Sequence, residues 1–287
     1  MSRRATAGRP QAAQKAMNPD ESDRLAVYEY DRLSNYEQDT RLTAALDALV
    51  PEAELDHPDQ RFFQTVHLIT EYAWCEMHFE MRRAVALLDQ GDYQLAAQVL
   101  ERAAAVGALP VQGLQLMLRF LPQRSLLTMR DTFPENTTGL DSPGARNLRR
   151  MAMVLWKALN VALERESLTL HTLIDLHGRT EPAAGKDRAG AALAQVRQAM
   201  LSLDGAVVDW KQVHLRLVWT QLGGHPATSE RDTRTGGAPG CPVLPTSLSG
   251  QSIRNLRQMA ERSLFPQIWD SVDDTYHSFV PMGGTSW

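Results

Sequence analysis

Apolar residues return every three to four positions through almost the whole chain, and alternating runs of β-branched residues are almost absent. A period near 3.6 gathers such residues on one stripe of a helix, whereas a half-buried strand needs alternation. The pattern therefore predicts an all-α protein, a bundle whose apolar stripes meet in a common core. Leu42, Ala45, Leu46 and Leu49 share one face, and Pro51 stops that helix. A long helix is predicted over about 58–88, and Gly91-Asp92-Tyr93 turns the chain into another over 94–106. Helix 111–121 ends at Pro122, the stretch 132–143 reads as a loop, and 144–166 is helical again. A polar loop at 180–190 precedes two helices, 191–203 and 205–222, and the last helix spans 252–276. Residues 1–22 are polar and mildly basic and read as a disordered tail, which leaves 23–287 as one domain. Within that domain 223–250 holds ten Gly or Pro and no periodicity, so it reads as a long loop.

A net charge of −4 argues against a general nucleic-acid binder. No apolar run reaches the ~20 residues that span a bilayer, so no membrane partner is expected. Arg3-Arg4 is followed by no apolar stretch, which sets aside an export signal. The two cysteines, Cys75 and Cys241, form no Cys-x-x-Cys pair, and a reducing cytoplasm is the default expectation.

Two histidines stand out. His214 shares an apolar helix face with Trp210, Leu217, Val218 and Leu222. A histidine so placed is either a core residue or a ligand to something the core encloses, and a neutral imidazole is a common axial ligand of haem iron. On the long early helix His67, Glu71, Trp74 and His78 follow i, i+4, i+7, i+11, a single stripe. Burying two histidines and a glutamate among Phe62, Phe63 and Val66 is costly unless each finds a partner. The alternative has Glu71 and His78 facing solvent, paired with Arg82 or Arg83. A di-iron carboxylate bundle needs Glu-x-x-His on two helices plus two more glutamates, which the chain does not supply. The zinc-hydrolase spacing His-Glu-x-x-His is absent, and the cluster His171, Asp175, His177 has a spacing common by chance. Arg130 and Arg146 flank the loop 132–143, and either suits bidentate pairing with a carboxylate.

Several patches, in order, resemble the tryptophan 2,3-dioxygenase superfamily of haem-dependent aromatic oxygenases. The segment 36–49, beginning Tyr36-Glu37-Gln38, is similar to an early tyrosine-leucine segment of that family. The stretch 61–71, Arg-Phe-Phe-Gln-Thr-Val-His-Leu-Ile-Thr-Glu, resembles its distal-histidine helix. Residues 138–146, Thr-Gly-Leu-Asp-Ser-Pro-Gly-Ala-Arg, resemble its Ser-Gly-Phe-Gln-Ser-x-x-x-Arg motif. Trp210-x3-His214-x3-Val218-x3-Leu222-Gly223 resembles its proximal-histidine helix. Thr235-Gly236-Gly237 and 264–269, Leu-Phe-Pro-Gln-Ile-Trp, are similar to its Gly-Thr-Gly-Gly and late Phe-Pro-x-Leu-Trp patches. The likeness spans about 33–275. Leu68 stands where the family has Gln, Thr220 where it has Arg, and Ala238-Pro239-Gly240 where it has Ser-Ser-Gly.

The resemblance implies a helical domain that encloses haem b, with His214 as axial iron ligand and His67 over the oxygen face. It implies O2 and an aromatic amino acid as substrates, L-tryptophan or a substituted tryptophan first and L-tyrosine second, with one or two oxygen atoms inserted. Arg130 takes the substrate carboxylate on this reading; Thr235 and Gly236 contact its amino or carboxylate group. Phe63 and Phe133 wall the ring, and Tyr36 reaches in from a neighbouring subunit of a homotetramer. The departures around the late glycine-rich loop point to a specialised, biosynthetic member. A helical ligand-binding or scaffold protein without haem is the alternative from a different class.

Overall fold

A computed structural model describes residues 28, 31–133, 142–176, 186–225 and 253–279. Every regular element among them is a helix, which bears out the all-α expectation. The tail 1–22, Thr235 and Gly236, and most of the loop 223–250 lie outside the described residues.

Among the described residues, two short helices, α1 (Asn35–Thr40) and α2 (Leu42–Leu46), come first. They meet at Arg41, whose left-handed backbone (φ 56°) breaks the helical path. The 32-residue helix α3 (Asp59–Gln90) follows. Its buried side carries Val66, Ala73, Trp74, Met77, Met81, Ala84 and Leu88, the three-to-four spacing of one stripe. Glu80 also falls on that buried side, 1% exposed, and its carboxylate accepts from Arg83 (3.0 Å) and Arg102 (2.5 Å). Two guanidinium partners are what lets a carboxylate stay inside.

α4 (Tyr93–Val106) and α5 (Ala108–Phe120) are joined at Gly107. A Cβ on Gly107 would sit 2.8 Å from the Ala206 Cβ, so only glycine lets this junction press on the late helix. The stretch Tyr93–Phe120 is long and apolar enough to cross a membrane by length and composition. α4 buries Ala96, Ala97, Leu100 and Ala103 in the bundle core, while Leu95, Leu109, Leu116 and Phe120 of the same stretch are exposed.

α6 (Gln123–Arg130) was not expected from the sequence; it ends on Arg130. α7 (Pro143–Glu166) starts with Pro143 in its first turn and the Ser142 side chain accepting from Ala145 N, a capped N-terminus. The short α8 (Leu170–Leu176) comes next. α9 (Lys186–Leu222) is one continuous helix of 37 residues, where two were expected with a break near Gly205. Leu203 and Val207, on either side of that glycine, are both buried in the main core. Packing of that kind outweighs the ~1 kcal/mol that an interior glycine costs.

The last segment is also not one helix but two, α10 (Ile253–Ala260) and α11 (Pro266–Phe279). Asp204, on α9 and fully buried, explains the restart. Its carboxylate accepts from Leu264 N (2.8 Å), Phe265 N (3.2 Å) and the Trp269 indole (2.9 Å). It thus fixes the two residues that lead into α11 and one side chain of its first turn, and Pro266, at the first helical position, needs no acceptor.

The main core joins α3, α4, α7 and α9 around Trp74, Met77, Leu155, Leu159 and Met200. A second, smaller core lies at the other end of α3. It packs Val66, Leu114, Met117, Met129 and Leu217, with Phe62, Phe63, Phe133, Trp210 and Val213 against them. The two candidate histidines sit beside this second cluster.

Candidate functional site

His67 is placed by α3, one turn after Phe63. The rings of the two residues lie 4.1 Å apart between centroids, tilted by 35°. The His67 Nδ1 is 2.8 Å from the Phe63 carbonyl oxygen. A carbonyl oxygen only accepts, so Nδ1 carries the proton and Nε2 presents a lone pair. His67 is exposed on α3. Desolvation by the neighbouring protein nevertheless lowers the His67 pKa below the ordinary value; the Phe63 carbonyl and Glu71 oppose the shift. The imidazole is therefore neutral near pH 7.

His214 comes from α9 and is half-buried. Desolvation, followed by the nearby positive form of His67, lowers its pKa to about 4. The charge of His67 reaches His214, so the two imidazoles are near one another although their helices are far apart in sequence. The His214 ring stacks on Trp210, with centroids 5.3 Å apart and planes 17° apart. Trp210 meets the edge of Trp74 at 5.3 Å and 85°. No hydrogen bond to the His214 ring is formed among the described residues.

Glu71, one turn beyond His67, does not pair with Arg82 or Arg83. Its two oxygens accept from Ser142 Oγ (2.5 Å) and Gly144 N (3.1 Å). A carboxylate at the start of α7 satisfies a free amide and meets the positive end of the helix dipole. The contact draws α7 down onto α3. A Cβ on Gly144 would lie 2.5 Å from the Trp74 Cβ and 2.8 Å from a Glu71 oxygen, so this approach needs glycine. Sequence reasoning placed Glu71 on the right stripe and missed its role. The signal was the Ser142-Pro143-Gly144 helix start, which leaves an amide for a carboxylate to take.

Phe133 packs against Phe63 with centroids 5.4 Å apart, so the two expected ring-wall residues do meet next to His67. Arg130 closes α6, half-buried, three residues before Phe133. Arg146 lies on the exposed first turn of α7. Tyr36 is 70% exposed on α1 and lines a shallow surface hollow with Asn35, Gln38 and Asp39. His78 is half-buried further along α3. His171 lies 3.9 Å from Asp175 on the surface of α8. A separate cavity of about 560 Å³ opens at the far end of α3, against Gly91, Tyr93, Glu166 and Arg188. Tyr93 there donates to Glu166 at 2.8 Å, and the cavity contains neither of the two histidines.

The chemistry of the donors can be tested against the group the resemblance implies. Among the described residues no group of three or more His, Cys, Asp or Glu side chains is placed to hold a metal ion. A bare ion needs such a group, but a porphyrin brings its own four nitrogens and asks the protein for one axial ligand. His214 is neutral, offers ring nitrogens without hydrogen bonds among the described residues, and stacks on Trp210. A single neutral imidazole suits the one axial position of a porphyrin better than a bare-ion site. No protein-family model matches the chain. No curated protein matches it either.

Proposed function

We propose that this chain is a haem-dependent oxygenase that inserts oxygen from O2 into the indole ring of L-tryptophan or a substituted tryptophan. What supports the reading is that His67 and His214, from distant helices, lie close enough for the charge of one to act on the other, each against an aromatic ring, Phe63 for His67 and Trp210 for His214. His214 would hold haem b by its iron. The bound cofactor supplies the activation of O2 that side chains lack.

The chain's own residues bind and orient. His67, its Nδ1 proton committed to the Phe63 carbonyl, has Nε2 free to accept a hydrogen bond from the indole N–H. That bond would turn the five-membered edge of the ring in a fixed direction. Phe63 and Phe133 supply an apolar wall that excludes water from one face. Arg130 takes the substrate carboxylate, with Thr235 and Gly236 closing on the amino-acid backbone as the resemblance implies. The same resemblance supports a cytoplasmic homotetramer in which Tyr36 of one protomer completes the site of another. The exposure of Tyr36 suits that role.

Replacing Arg130 with Leu is expected to weaken L-tryptophan binding by about 2 kcal/mol, the scale of a lost desolvated charge pair. Binding of tryptamine, which has no carboxylate, should stay the same. Equal weakening of both ligands would remove Arg130 from the site and make Arg146 the candidate.

The function itself is tested by incubating haem-loaded protein with L-tryptophan and isotopically labelled O2, followed by mass spectrometry. Label in an indole-derived product supports the proposal, and the number of labelled atoms separates dioxygenation from mono-oxygenation. Label appearing only with L-tyrosine reassigns the substrate. A protein that takes up haem and labels neither is a carrier rather than an oxygenase, and one that takes up none is a scaffold.

A further inference from the structure

An imidazole on a helix turns freely about its last side-chain bond, and a metal ligand must not. Most metal-binding histidines are fixed by donating their second ring N–H to a carboxylate, a carbonyl or water. His214 has no such bond among the described residues, but it has a ring beneath it. Trp210 sits one turn earlier on α9, its plane within 17° of the imidazole at 5.3 Å between centroids. Offset stacking of this kind is a favoured aromatic arrangement and resists tilting of either ring.

Trp210 is itself held. Trp74 meets it edge-on at 85°, and Trp74 is 1% exposed. Behind Trp74 the start of α7 presses in at Gly144, tied to α3 through Glu71. Both indole nitrogens are buried and lack a hydrogen-bond partner among the described residues. A buried N–H left so is costly, and Phe or Leu would fill the space without that cost. The indoles therefore contribute through their ring faces and edges.

We infer that Trp210, backed by Trp74, is the positioning residue for His214, fixing the imidazole by stacking where other sites use a hydrogen bond. For an iron ligand this inference rests on the haem reading; for the ring orientation alone it does not. One chemical consequence follows. An axial imidazole whose N–H is not hydrogen-bonded donates less electron density to iron than one whose N–H is.

The test uses the full chain and Trp210→Leu and Trp210→Phe variants, with the His214 ring signals assigned by their loss in His214→Ala. In haem-free protein the indole ring current should displace the His214 ring protons. The displacement should shrink in Trp210→Phe and vanish in Trp210→Leu. In haem-loaded protein the iron–imidazole stretching band should be single in the parent and in Trp210→Phe. In Trp210→Leu it should broaden or split as the ring takes several orientations. A purely space-filling Trp210 would lower stability in Trp210→Leu and leave the iron–imidazole band single and unbroadened, and that result overturns the inference. Should Trp210→Leu fail to fold, an undiminished displacement in Trp210→Phe overturns it equally. If the parent takes up no haem while the haem-free shifts behave as stated, the stacking stands and the haem reading falls.

Discussion

Haem-free protein is expected to lose up to about 3 kcal/mol of unfolding free energy as pH falls from 6.5 to about 4, through His214. The native state holds this imidazole neutral, because desolvation first and the charge of His67 second lower its pKa to about 4. In the unfolded chain the same group titrates at its ordinary value. Between the two values the unfolded state binds a proton that the native state does not, so stability falls with acid. Above the upper value both states are neutral and the contribution to pH dependence vanishes. His67, whose pKa is also lowered, acts in the same direction. Carboxylates titrate in part of this window, so the informative quantity is a difference in slope. Urea unfolding across the window should give a shallower pH slope for His214→Leu than for the parent. Equal slopes would mean that His214 is solvated and not enclosed.

Asp204→Ala should cost about 3 kcal/mol, the scale expected when a buried charged acceptor is removed and its donors are left unpaired. The Asp204 carboxylate is fully buried and takes two backbone amides and the Trp269 indole at 2.8–3.2 Å. Without it the amides of Leu264 and Phe265 that lead into α11, and the Trp269 indole, lose their acceptor. Asp204→Asn keeps one carbonyl oxygen and should lose less. Urea midpoints of the three proteins check this. A loss for Asp204→Ala below about 1 kcal/mol, the level of an exposed cap, would show that α11 does not depend on this anchor.

The all-α class was legible because α3, α7 and α9 each carry an apolar stripe several turns long. Periodicity of that length leaves no strand alternative. The break expected at Gly205 was not found. Propensity at one glycine is local, whereas Leu203 and Val207 are held on either side by tertiary packing. The opposite error occurred at Pro266, where a stripe was carried across a residue that cannot continue a helix from the preceding turn. Of the candidate site, His67 and His214 stood out in the sequence, since a polar residue on an apolar stripe announces itself, and the fold brings them near one another. Phe63 and Phe133 do meet beside His67. The partners of Glu71 were not readable: Ser142 and Gly144 lie more than seventy residues away in sequence, and only the packing of α7 on α3 brings them in. The stacking role of Trp210 was hidden for a related reason. Its place one turn before His214 was plain, but what holds it is Trp74 on another helix.

The claim on which the rest depends is that His214 holds haem iron. Titrating the haem-free chain with ferric haem and following the Soret band tests it most directly, with His214→Ala and His67→Ala alongside. The parent should saturate at one haem per chain with the spectrum of an imidazole-ligated iron. His67→Ala should still bind haem and give a similar ligand-dependent spectrum. His214→Ala should bind at least about a hundredfold more weakly, more than the loss of a supporting contact costs, and lose the imidazole spectrum. Parent protein that shows no saturable Soret change, or His214→Ala that binds as tightly with the same spectrum, would contradict the account.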